Sequence, residues 1–247
     1  MWVAGLSACE QPIGGLDRVQ AAGRLRVAID PSFPPFEFVD ADGAIAGLDA
    51  DLAMLIAQRL GVEAHLVTTG YDALYDALTV GHADVIISAL YPDPSHSEEF
   101  AFSRPYFNAG QVLITRDEVD IQELSDLAGN QVACVFGTEG HMTALKWEQS
   151  LDPPPSLLTV EDPVSLTTSL ENGAASAAIL DHVSALMLAQ QDSQLRVVMP
   201  PVTDEPYVVA ARSEDAALLA AIDEILEDLE TDGTLTALRR RWIRPEH

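Results

Sequence analysis

The residues best placed to do chemistry are carboxylates and aromatic rings at the ends of apolar runs. Asp30-Pro31-Ser32-Phe33-Pro34-Pro35-Phe36 follows the run Arg24-Leu25-Arg26-Val27-Ala28-Ile29. Its prolines fix φ and deny helix, so Phe33 and Phe36 sit on a stiffened loop at the C-terminal end of a strand, where open α/β sheets bind ligands. Asp181 directly follows a second apolar run, Ala177 to Leu180, and precedes a helical segment that begins at His182. A carboxylate in that position needs a cationic partner, or serves as a helix N-cap, or does both. No metal-ligand spacing, glycine-rich phosphate loop or nucleophile elbow is present, and the 6 histidines are scattered. The chemistry on offer is recognition by acidic and aromatic groups, with no catalytic residue, metal or cofactor expected.

The elements that would carry these groups alternate. Leu52, Leu55, Ile56 and Leu60 recur at helical spacing within 48–60, and Gly61 is placed to stop that helix. Strand is expected over 62–67 and 83–88, with helix over 71–80 between them. Strand, helix, strand implies parallel pairing through helical crossovers. A second block repeats the pattern, with strands over 111–115, 131–135, 156–160 and 177–180 and helices over 139–147, 163–171 and 182–190. Asp152-Pro153-Pro154-Pro155 is a loop within it, and two helices over 215–230 and 234–242 close the chain.

Composition sets the outer bounds. At 247 residues, 48% of them hydrophobic, the chain is long enough for two α/β lobes with real cores. The 39 acidic residues against 13 basic ones give a formal charge of −26, which repels phosphate backbones and anionic lipid and argues against a nucleic-acid partner. Two cysteines exclude a disulfide framework and leave a single bridge open. Cys134, in an apolar run, reads as a buried strand thiol. Cys9 ends Leu6-Ser7-Ala8-Cys9, which resembles the lipobox at which lipoproteins are cleaved and acylated. Against that, only eight residues precede it and none is basic, short of the charged start and roughly 7 to 15 apolar residues of an export signal. No stretch reaches the ~18 apolar residues of a membrane span.

Several blocks in order resemble the family 3 bacterial extracellular solute-binding proteins, typified by the polar amino acid receptors of ABC importers. They are Asp30 to Phe36 with Gly47-Leu48-Asp49-Ala50-Asp51-Leu52, then Gly81 to Ser88, then Phe102-Ser103-Arg104-Pro105-Tyr106-Phe107. Leu127 to Val132, Gly137-Thr138, Asp181 and Asp232-Gly233-Thr234-Leu235 follow. The resemblance implies a periplasmic binding protein-like type II fold, two α/β lobes joined by two crossing strands near 107–111 and 206–212. Lobe 1 would comprise 23–107 plus 208–247 and lobe 2 108–207, with 1–22 a signal remnant or lipoprotein leader and linker. It further implies a monomeric receptor at the extracytoplasmic face, without a cofactor, that closes by a hinge on a small solute and is read by ABC permease subunits. Its membrane contact would be limited to a lipid on Cys9.

Mapped residue by residue, the resemblance assigns solute contact to Asp30, Phe33, Tyr71, Ser88, Ala89, Tyr91, His96, Thr138, Glu139 and Asp181. Phe33 and Tyr71 become apolar walls, Asp181 the group that takes an α-ammonium, and Asp30 a group that reaches a side-chain ammonium. The chain departs from the pattern at the carboxylate clamp. The family's arginine there is His96, and Arg104, eight residues away, does not match the position. A hydroxyl contact after Gly-Thr has become Glu139, and a small hydroxyl residue near the clamp has become Tyr91. Losing a bidentate cation and gaining a carboxylate turns preference toward an amine-bearing solute. If Glu139 instead faces solvent in the first turn of its helix, a protonated His96 remains to hold an anionic group. Two other classes share the fold. A cyclohexadienyl dehydratase would use Glu139 and His96 as an acid/base pair, and a sensor domain would be fused to its partner. The end of the chain at His247 without a further domain favours the freestanding receptor.

Overall fold

A computed structural model of the chain describes residues 14–243. They divide into two compact units, one of residues up to Arg104 plus Val208–Leu235, the other of Pro105–Tyr207 plus the residues from Thr236.

The first unit opens with helix α1 (Gly15–Ala22) and strand β1 (Arg24–Ile29), then three short strands, β2 (Ser32–Phe33), β3 (Glu37–Val39) and β4 (Ile45–Ala46). Helix α2 (Leu48–Arg59), β5 (Glu63–Thr68), α3 (Leu74–Thr79), β6 (Val85–Ile86) and β7 (Phe100–Phe102) follow. The second unit runs β8 (Phe107–Asn108), β9 (Gln111–Arg116), β10 (Gln131–Val135), α4 (Glu139–Ser150), β11 (Ser156–Val160) and α5 (Pro163–Glu171). It continues through β12 (Ala177–Asp181), α6 (His182–Gln191), β13 (Leu195–Val198) and β14 (Pro206–Tyr207). The chain returns to the first unit for β15 (Ala210–Arg212) and α7 (Ala216–Thr231), and α8 (Thr234–Trp242) ends it.

Each unit is built on one five-stranded sheet, in the order β5-β1-β6-β15-β7 and β11-β10-β12-β9-β13. In the first, β1 pairs in parallel with β5 and β6, while β15 runs antiparallel to β6 and β7. In the second, β10 is parallel to β11 and β12, and β9 is antiparallel to β12 and β13. The expected parallel crossovers are therefore present at the centre of each sheet, with antiparallel strands added beside them. Strand alternation explains how the second sheet is covered on both faces. Val112 and Ile114 point into one core with Leu166 and Leu170 of α5, while Leu113 between them points into another with Ala144 and Trp147 of α4. Cys134 lies in that second core, fully buried, which also pushes its thiol pKa up.

Several expectations need correction. Residues 15–22, read as part of a leader, form α1, and Val19 on it is 1% exposed. Two expected features were longer than observed: the helix over 71–80 breaks into a single turn at Tyr71–Ala73 and then α3, and of 83–88 only Val85–Ile86 pairs as strand. The loop 30–36 contains β2, and Phe36 is fully buried core, not a presented ring. The C-terminal residues from 236 cluster with the second unit, where Arg239 donates to the Tyr106 carbonyl and Gln190 to that of Ile243. Cys9 lies outside the described residues. Among the described residues no helix is long and apolar enough to cross a membrane.

What ties the first unit together is a charge cluster. Asp215, 2% exposed, takes Arg18 at 2.8 Å and Arg212 at 2.6 Å. Asp84, also 2% exposed, accepts the backbone and side chain of Arg26, the latter at 2.7 Å. Burial alone would raise the Asp84 pKa, but the Arg26 hydrogen bonds and charge outweigh it and leave it below the usual carboxylate range. A depressed carboxyl stabilises the fold above its unfolded pKa and loses that contribution as pH falls through the folded value. Asp84→Ala, which strands Arg26, is expected to cost about 3–5 kcal/mol in urea unfolding at neutral pH, with a smaller difference in acid.

Candidate functional site

Each unit gathers polar and aromatic side chains at the C-terminal ends of its parallel strands. In the first unit these ends are Ile29 of β1, Thr68 of β5 and Ile86 of β6, followed by Asp30, Tyr71 and Ser88. Asp30 accepts the Tyr71 amide through Oδ2 at 2.9 Å, so it caps the turn at Tyr71–Ala73. Its own amide donates to the Ser88 hydroxyl at 3.0 Å. Phe33, Tyr71 and Tyr91 are exposed at 49%, 46% and 42%, large rings left in water. Burial, with the nearby Tyr91 and Glu37, raises the Tyr71 pKa.

Beneath this edge lies a layer that sequence reasoning missed. Ser88 is fully buried and its hydroxyl donates to Glu37 Oε1 at 2.9 Å. Glu37, on β3, is 1% exposed, and Asp49, in the first turn of α2, is fully buried. Asp49 Oδ2 accepts the Ala89 amide at 2.6 Å. Ala89 has φ 41°, the left-handed region that an L side chain rarely adopts. Gly47, at φ 126°, makes the approach of α2 possible, since a Cβ there would stand 2.1 Å from the Phe36 carbonyl oxygen. Burial first, then the charge and hydrogen bond of Asp49, push the Glu37 pKa up to about 10.

His96, at the expected clamp position, stands in a short turn, Pro94–His96, capped by Asp93. Its ring stacks on Tyr75, centroids 4.4 Å apart, and its Nδ1 lies 3.1 Å from Asp93 Oδ2. The Tyr75 hydroxyl is buried without a hydrogen-bond partner among the described residues, and burial together with Asp93 raises its pKa to about 12.

In the second unit, Asp181 closes β12 and caps α6, accepting the Ser184 amide at 2.9 Å. Thr138 caps α4, accepting the His141 amide and donating to the Val135 carbonyl at 2.8 Å. Glu139 occupies the first turn of α4 and is exposed, as the helix-dipole argument allows. Phe136, just after β10, is 73% exposed and lies 5.4 Å from the His141 ring. His182 is buried, stacked on Phe107, with Nδ1 at 2.7 Å from the Asn108 carbonyl; burial lowers its pKa. Thus Asp30, Phe33, Tyr71, Ser88 and Ala89 share the edge of one sheet, and Thr138, Glu139 and Asp181 that of the other.

None of Asp30, Glu139 and Asp181 has an ion pair among the described residues, whereas six arginines are paired elsewhere. Arg18, Arg26 and Arg212 serve Asp84 and Asp215, Arg59 pairs with Asp232, Arg104 with Glu227 and Arg116 with Glu118. The sequence, for its part, matches the family of bacterial extracellular solute-binding proteins, family 3, over residues 25–245. The chain belongs to that family. This solute-binding protein is 30% identical over 233 residues to the L-cystine-binding protein TcyJ of Escherichia coli (strain K12), covering 93% of this chain and 86% of that one. An ancestral cyclohexadienyl dehydratase superposes with a TM-score of 0.82 at 25% identity, over 95% of this chain and 98% of the other. The unliganded, open L-cystine solute receptor of Neisseria gonorrhoeae has the same fold, with a TM-score of 0.76 at 22% identity over 92% and 96% of the two chains. Both neighbours place the solute-binding protein among type II periplasmic binding folds, as the resemblance implied.

The strained Ala89 gives a prediction specific to this edge. Ala89→Gly relieves the left-handed conformation and is expected to raise stability by about 1 kcal/mol, read as a shift in the urea midpoint at unchanged slope.

Proposed function

We propose that this family 3 protein is the extracytoplasmic receptor of an ABC importer and that its solute carries an amine, as an amino acid or a derivative of one. The observation that carries the reading is the set of carboxylates at the strand ends, Asp30, Glu139 and Asp181, which lack cationic partners in the described chain. A carboxylate held near other protein atoms favours a cation beside it, and a bound ammonium supplies one. Phe33, Tyr71 and Tyr91, exposed rings on the first unit, give the apolar stem of such a solute a surface to cover. In this reading Asp181 takes the α-ammonium, Asp30 and Glu139 take further positive groups, and His96 replaces the arginine clamp. Hinge closure at the two chain crossings then buries the solute and presents the closed receptor, as a monomer, to the permease. Names of relatives support the solute class, since TcyJ is an L-cystine-binding protein and another relative, 25% identical, is arginine-binding protein 1 of Escherichia coli (strain K12). Cys9 would carry the lipid that tethers the receptor, a reading that rests on its sequence context alone.

The enzyme reading stays second because of the likeness to the ancestral dehydratase. Turnover of prephenate or arogenate by the purified protein establishes it, and no turnover is expected.

A thermal-shift panel of arginine, lysine, cystine, putrescine, glutamine, glutamate and succinate tests the receptor reading. Amine-rich members are expected to raise the melting temperature and succinate to leave it unchanged; stabilisation by succinate alone contradicts the proposal. Asp181→Asn keeps the helix cap, for which Asn and Asp are equivalent, but removes the charge. It is expected to weaken binding of the best panel member by roughly tenfold or more, with stability almost unchanged.

A further inference from the structure

We infer that Gln111, the first residue of β9, is a further solute-binding residue of the second unit: its side-chain carbonyl accepts one N–H of the ammonium group that Asp181 takes, so the protein selects amines that keep their N–H bonds. Strand register places the two side chains together. β9 and β12 run antiparallel with Gln111 directly opposite Asp181. Residues opposite one another in such a pair project to the same face, with Cβ atoms about 4.5–5.5 Å apart. That face is the one covered by α4. Leu113, two residues after Gln111, and Ile179, two before Asp181, share a core with Ala144 and Trp147 of that helix. Gly140, in the first turn of α4, brings the helix close: a Cβ there would stand 3.0 Å from Gln111 Oε1 and 3.1 Å from the Ile179 carbonyl oxygen. The Gln111 carboxamide therefore stands where the start of α4 meets the Asp181 end of β12.

Both side chains have hydrogen-bonding capacity that the fold leaves open. Gln111 is 6% exposed. Its backbone is engaged, the amide donating to Thr203 Oγ1 at 2.7 Å and the carbonyl accepting the Val202 amide at 2.7 Å. Its side chain makes no hydrogen bond among the described residues. A buried carboxamide without partners destabilises the fold, so a group that nearly always finds them is left waiting for one. Asp181 is half spoken for: Oδ1 accepts the Ser184 amide at 2.9 Å, and Oδ2 takes no donor among the described residues. An ammonium has three donors and no acceptor, and needs a charge together with a second, neutral oxygen. Asp181 Oδ2 supplies the first and Gln111 Oε1 the second. A trimethylated nitrogen keeps the charge that attracts Asp181 but offers Gln111 nothing to accept. That an ammonium comes to Asp181 rests on the function proposed above; the open carboxamide beside it does not.

Two measurements on wild type and Gln111→Met test this, since Met keeps the length of the side chain and removes its polar atoms. The first is calorimetric titration with L-arginine, L-lysine and L-cystine, each beside its Nα-trimethylated form. Wild type is expected to bind at least one of the primary amines tenfold or more tighter than its trimethylated counterpart. Gln111→Met is expected to weaken the primary amine about tenfold or more and the trimethylated form less than threefold. Equal loss on both, or loss on neither, overturns the contact, because a merely structural role cannot tell the two nitrogens apart.

The second measurement needs no solute. With the wild-type carboxamide unpaired in the free protein, the urea midpoint of Gln111→Met is expected to hold or rise at unchanged slope. A midpoint that falls, or a variant that does not fold, shows the carboxamide bonded within the structure and overturns the inference. Should none of the three amino acids bind wild type while the midpoint holds, the proposed solute class fails and takes the ammonium contact with it, but the open carboxamide stands. Should they bind and the midpoint fall, the solute class stands and the role given to Gln111 fails alone.

Discussion

A carboxylate at the C-terminal end of a parallel strand, without an ion pair among the described residues, is the constraint around which this protein is arranged. Both sheets end in one, Asp30 in the first unit and Asp181 in the second, and both side chains receive a backbone amide from the turn or helix that follows. Those amides orient the carboxylates and offset part of their charge, but an N–H group does not replace a counter-ion. Arg18, Arg26 and Arg212 are held instead by Asp84 and Asp215 in the interior of the first unit. These bases brace the frame, and in the proposed function the acids at the strand ends are left to the amine of the solute.

A second layer of acid supports the first. Glu37 and Asp49 are buried under residues whose backbone geometry matters: Ser88 links Glu37 to the Asp30 amide, and Asp49 accepts the amide of the strained Ala89.

Much of the framework was legible in the sequence because its signals are local. The helical spacing of Leu52, Leu55, Ile56 and Leu60 and the apolar runs at 131–135 and 156–160 correspond to α2, β10 and β11. Asp30 and Asp181 stood out because each ends an apolar run. What escaped depends on distant partners. Helix α1 is short, and Arg18 reaches Asp215 across 197 positions, which no local pattern foretells. Phe36 looked like Phe33, since the same proline-rich loop carries both, but the pairing of β2 with β3 and the close approach of α2 turn one ring inward. Glu37 gave one usable sign, an acid set between Phe36 and Phe38 in a strand, and Asp49 another, an acid among the apolar residues of α2; only the fold shows both to be buried. The stacking of His96 on Tyr75 and its bond to Asp93 come from side chains that spacing alone could not orient.

The most direct measurement is the mass of whatever solute the protein carries when purified from cells without added ligand and released by gentle denaturation. The account predicts a small compound bearing a primary amine or guanidinium group. A released dicarboxylate, sugar or phosphate with no basic nitrogen would contradict it.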